Sequence, residues 1–169
     1  MKSQKFIFGI LLLLVFVFIG CNSTAKLEAN KEVVYKFIEA LNNQDWDGLD
    51  DLVDYDFVRH SQATPDVQVK NLEEFIELQK GFLKSFPDQK VTLEKMIAED
   101  DYVAVLANYI GTQDGPMPPF PASGKKLNLS YISFLRFEQG KIAEMWVEWD
   151  NMAALTQLGH FPPPEAAAK

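Results

Sequence analysis

From Val33 to Phe86 the apolar residues recur at the spacing of a helix, and from Lys90 onward they alternate. Val33, Val34, Phe37, Ile38 and Leu41 follow the i, i+3, i+4, i+7 rule. They predict an amphipathic helix with Asn30 as its N-cap and Asn42-Asn43 as its end. A second, short helix is expected over Trp46–Val53, with Trp46, Leu49, Leu52 and Val53 as its apolar side. The stretch NLEEF opens a third, in which Asn71 and Glu74 approximate a capping box. Its stripe runs through Leu72, Phe75, Ile76, Phe82, Leu83 and Phe86 until Pro87 stops it.

The second half reads as four strands: KVTLEKMIA, YVAVLANYI, KLNLSYISFLRF and KIAEMWVEWD. Asp100-Asp101, Asp114-Gly115 and Gln139-Gly140 fall at the breaks. The turn at Gln139-Gly140 joins two long strands and predicts antiparallel pairing. Helices first and strands afterwards argue for an α+β domain: a cone-shaped, curved antiparallel sheet with the N-terminal helices packed on its concave side, over a pocket. In the last strand Glu144, Trp146, Glu148 and Asp150 share one parity, and Met145, Val147 and Trp149 share the other. The acidic face therefore looks either at water or into the cavity. Opposite faces for Trp146 and Trp149 mean that at most one of them reaches it.

The N-terminus changes the picture of where the chain works. Lys2 and Lys5 precede an apolar run, Phe6–Ile19, shorter than the roughly twenty residues a membrane span needs. This is the layout of a secretory signal, set aside from the fold as residues 1–20. Phe18-Ile19-Gly20-Cys21 resembles a bacterial lipobox, which implies lipidation of Cys21, a membrane anchor and a place in the cell envelope. Cys21 is the only cysteine, so no internal disulfide is expected. Residues 21–29 are expected as a polar tether, 30–161 as the domain, and the proline-rich 162–169 as a tail. The chain holds 16 basic and 24 acidic residues, and the leader contains two of the lysines and no acid. Such a balance argues against nucleic acid as a partner.

Several short pieces in order, FVRH ending at His60, FPD at 86–88, AEDDYVAV at 98–105, Gly111-Thr112, PASG at 121–124, FLRFEQGKIAEMW at 134–146, Asp150 and QLG at 157–159, resemble the SnoaL-like polyketide cyclase, or ester cyclase, branch of the nuclear transport factor 2-like superfamily. The resemblance implies a cone-shaped α+β barrel with an interior pocket, commonly dimeric through its sheet. It also implies an aspartate near the end of the last strand acting as acid and base in ring closure, without metal or organic cofactor. Asp150 is the position that matches. Gln113 and Met145 stand where the family often has histidine.

An enclosed Asp150 would take a proton from carbon beside a carbonyl, as aldol closure, isomerisation and dehydration all require. The resulting enolate needs a donor. His60 is the first candidate, since histidine changes charge near working pH; Asn108, Tyr131 and the Trp146 indole are others. Trp46, Phe57, Phe82, Phe120 and Trp146 are expected as pocket walls for a small hydrophobic molecule. Plainer roles stand beside these. Asp150 is also a good N-cap for the helical DNMAALTQLG, Glu144 and Glu148 suit a wet sheet face or a partnership with Arg136, and His60 suits a structural place. Three functions remain open at this point: a cofactor-free lyase or isomerase, a non-catalytic binding lipoprotein, and an interaction subunit whose pocket is filled by its own side chains.

Overall fold

The computed structural model describes residues 24–161. The expected signal, the expected lipidation site Cys21 and the expected tail at 162–169 lie outside the described residues. Helix α1 covers 24–43, so the expected cap Asn30 lies inside it and is buried, and 24–29 are helical rather than a tether. Ala25, Lys26, Leu27, Glu28 and Ala29 are good helix formers, which carries the helix upstream. Asp47–Asp51 form a 3-10 turn where a short helix was expected. Strand β1, Val53–His60, follows it and is absent from the sequence reading. Helix α2 is Leu72–Ser85; the Asn71 side chain accepts from the Glu74 amide at 2.8 Å, and the Glu74 carboxylate accepts from the Lys70 amide at 2.8 Å.

The remaining strands are β2 (Lys90–Glu99), β3 (Tyr102–Thr112), β4 (Lys126–Glu138) and β5 (Lys141–Trp149), followed by helix α3 (Asn151–Leu158). They form one five-stranded sheet in the order β1-β5-β4-β3-β2. The sheet is mixed rather than wholly antiparallel: β1 runs parallel to β5, pairing Arg59 with Met145 and His60 with Trp146.

One face of the sheet carries the core. Phe57, Val103, Val105, Leu135, Met145 and Val147 point to it, and Val34 and Phe37 of α1 and Phe75 of α2 close over it. Phe75 anchors this layer, stacking on Phe37 at 5.8 Å and edge-on to Phe57 at 5.1 Å. Asn42, at the end of α1, donates to the Val91 carbonyl at 2.9 Å and accepts from the Val91 amide at 2.8 Å, tying the helix to the β2 edge. Hence the helices cover the inner face as the period change predicted, and the space between them decides the function.

Candidate functional site

The helices do not fill that space. A cavity of about 940 Å³ lies between α1, α2, α3 and the inner faces of β3, β4 and β5. Its walls are largely aliphatic and aromatic, as ligand sites usually are. An open cavity of this size removes the filled-pocket reading. A smaller hollow of about 480 Å³, near Lys36, Asn43 and Asp51, lies away from it and is lined mainly by polar residues.

Trp149, not Trp146, reaches inside. Met145, Val147 and Trp149 line the cavity, whereas Glu144, Trp146 and Glu148 belong to the other face. The parity slips once: Ile142 is fully buried, because a bulge breaks the β4–β5 register between Arg136 and Phe137. Consequently Trp146 is not a pocket wall. It stacks on His60 with ring centroids 4.9 Å apart. His60 lies at 2.7 Å from Oε1 of Glu144, and Arg136 Nε donates to Oε2 of the same carboxylate at 2.9 Å. Burial pushes Glu144 up, but the hydrogen bonds from Arg136 and His60 outweigh it and hold the carboxyl below its usual value. His60 therefore does not line the cavity.

Asp150 is exposed and caps α3, its side chain accepting from the Ala153 amide at 2.9 Å. Its neighbours Trp149 and Asn151 both line the cavity, which puts Asp150 at the rim with its carboxyl occupied. Of the expected walls Phe82 and Phe120 line it, as does Tyr131, expected as a donor. Phe57 is sealed in the core beneath Phe75, Trp46 packs against the core's edge, and Asn108 donates to Asn128 at 2.8 Å. None of these three lines the cavity.

Of the polar groups inside the cavity, Tyr131 was among the donors expected from the sequence, whereas Ser133 and Arg59 were not. Tyr131 and Ser133 share the inner face of β4, and neither hydroxyl has a hydrogen-bond partner among the described residues. Burial pushes the Tyr131 hydroxyl up, so it stays protonated and able to donate. Tyr109 is pushed up likewise by burial and by nearby Asp88, and donates to Gln89 at 2.7 Å. Arg59 of β1 also lines the cavity and is only 6% exposed. The signal for it was its spacing two residues from Phe57, on the same strand face.

The two positions where the family this chain resembles often has histidine have other work. Met145 is cavity wall. Gln113 is fully buried, donates to the Pro121 carbonyl at 3.2 Å and meets His160 at 2.7 Å. His160 stacks on Phe120 at 4.6 Å, so Gln113 braces a loop that forms part of the wall.

Comparison with known proteins agrees with this geometry. The profile described as SnoaL-like polyketide cyclase matches residues 31–158. AclR of Streptomyces galilaeus, described as a candidate hydroxylase, is 26% identical over 80% of this chain and 99% of its own, with a TM-score of 0.69. IdmH of Streptomyces antibioticus, described as a candidate polyketide cyclase, is 25% identical over 77% of this chain and 98% of its own, also at 0.69. A SnoaL-like protein of Jannaschia sp. CCS1 is 23% identical over 80% of this chain and 94% of its own; its TM-score of 0.72 speaks for the fold. No curated protein matches the chain.

Proposed function

The chain belongs to the SnoaL-like polyketide cyclase family, and from that premise we propose that it binds a small, largely hydrophobic molecule in the cavity under its sheet. The observation that carries this is the cavity itself: about 940 Å³, walled by apolar groups, with Tyr131 and Ser133 as unpartnered hydroxyls. Among the described residues no acid sits inside to serve as a base. The one carboxylate among the lining residues, Glu77, is an exposed group of α2 bound to Lys80 at 2.8 Å. Fluorescence titration with the neutral probe N-phenyl-1-naphthylamine tests the reading. Saturable uptake is expected, abolished in Val105→Trp, which fills the space. Uptake that is unsaturable, or indifferent to that substitution, would refute it.

One observation favours turnover as a second reading: Asp150 stands at the rim between two lining residues. In that case it acts as acid and base on a carbonyl compound held by Tyr131, and Asp150→Asn abolishes turnover while leaving uptake intact. Unchanged turnover in that variant would exclude it.

The N-terminal pattern supports export and acylation at Cys21, hence a place on an envelope membrane; mass spectrometry of the detergent-extracted protein would detect the added lipid. The outer sheet face supports a homodimer. Ile97, Leu106, Ile132 and Phe134 are 36–61% exposed there, and Leu106 pairs directly with Ile132. Contiguous apolar surface of this kind is what a self-complementary interface uses. Phe134→Glu is expected to give a monomer in sedimentation; an unchanged mass would count against this face.

A further inference from the structure

Arg59 carries a buried charge. Its residue is 6% exposed, yet it takes part in none of the ion pairs among the described residues. Nη1 and Nη2 both donate to the Thr64 hydroxyl, at 3.1 and 3.2 Å. That engages two of the five N–H groups of a guanidinium, and the rest have no acceptor in the described protein. The cation lies 5.9 Å from the centre of the Trp149 ring. The acid that acts on it electrostatically, Glu148, belongs to the outer face, where its oxygens accept the Gln62 and Ala63 amides at 2.6 and 3.0 Å. Burial lowers the Arg59 pKa, and Glu148 offsets this only in part. A buried charge without a partner is costly, and proteins ordinarily pair it.

The position is informative as well. Arg59, Thr64, Tyr131 and Trp149 all line the cavity, and Tyr131 is the direct cross-strand neighbour of Trp149. One end of a largely apolar enclosure, whose other lining residues include Asn42, Gln79 and Lys84, therefore carries a guanidinium and a free phenol around one indole. A planar fork of this kind matches a carboxylate through two parallel N–H···O bonds.

We infer that the cavity takes an apolar carboxylate, its hydrocarbon body against the aliphatic walls and its carboxyl group on Arg59. This rests on the ligand-binding reading above and adds the chemical class of the ligand. The missing counter-charge is then supplied by the ligand, and Tyr131 donates to the same head group.

The test uses the full chain and a matched pair of probes, 11-(dansylamino)undecanoic acid and its methyl ester, followed by dansyl fluorescence at pH 7.5. The acid is expected to bind about tenfold or more tighter than the ester, the scale of a charge-assisted hydrogen bond. Arg59→Gln should bring the acid down to the ester's affinity and leave the ester within about twofold, while Arg59→Lys, which keeps the charge without the fork, should retain a reduced preference. Should Arg59→Gln not fold, the acid-to-ester ratio in the wild type and in Arg59→Lys decides. Equal affinity for acid and ester, or a preference that survives Arg59→Gln, overturns the inference but leaves the apolar site standing. Binding of neither probe overturns both.

Discussion

The imidazole of His60 stacks on the indole of Trp146, 4.9 Å between centroids and 15° between planes, on the face of the sheet turned away from the cavity. The pair follows from register: β1 runs parallel to β5, and His60 pairs with Trp146. This stack secures an edge strand. His60→Ala is expected to lower stability by about 1 kcal/mol, the scale of an aromatic pair. Binding in the cavity should not change. Urea denaturation and probe titration of the same variant check both, and lost uptake in a stably folded His60→Ala protein would contradict this placement.

Glu144 links that stack to acid stability. Its folded pKa is held below the unfolded value by Arg136 and His60. The pairing therefore contributes at pH above the unfolded value, about 4.3, and is lost as pH falls through the folded value. Glu144→Gln should melt below wild type at pH 7, and the gap should close towards pH 3. Melting temperatures of both proteins across pH 3–7 measure it. A gap constant down to pH 3 would show that the charge is not the source.

Tyr131 gives the opposite expectation. Its hydroxyl is buried at the cavity and unpartnered within the protein. Removing an unsatisfied polar group is neutral or stabilising. Tyr131→Phe should therefore keep or raise stability, by up to about 1 kcal/mol, while weakening any ligand that accepts its proton by about five- to tenfold. A destabilised Tyr131→Phe protein would mean that the hydroxyl serves the fold.

Much of the architecture was legible because local patterns agreed with tertiary ones. Asn71, the α2 stripe and Pro87 mark that helix, and the turn at Gln139-Gly140 joins β4 to β5. Strand β1 was hidden because Asp54, Tyr55 and Asp56 break the apolar signal, and its pairing partner lies some 90 residues away in sequence, at Ile142 to Trp146. In β5 the alternation showed two faces but not which was inner. Parity is symmetric, and only the helices packed on Met145 and Val147 decide it. For the same reason Trp146 and Asp150 were expected inside and Trp149 on the opposite face, and Arg59 was overlooked. Arginine on an inner face contradicts the usual burial of charge, so pattern reading discards it where an enclosed anion site would need it.

Asp150 separates the two possible functions most cleanly, because its carboxyl already has a structural task. It accepts the Ala153 amide at 2.9 Å, while Gly159 ends α3 in the left-handed conformation at φ 76°. Asparagine caps about as well as aspartate and alanine does not. Asp150→Asn should leave stability almost unchanged, and Asp150→Ala should cost about 1 kcal/mol. The helix it starts supplies Ala154, Leu155 and Leu158 to the cavity wall, so Asp150→Ala should also loosen the site and weaken probe uptake by a few-fold, with Asp150→Asn as the unaffected control. Chemical denaturation and titration of the two variants together distinguish a cap from a catalyst: a cap loses stability and uptake in the alanine variant alone, whereas a proton-transfer group loses turnover in both.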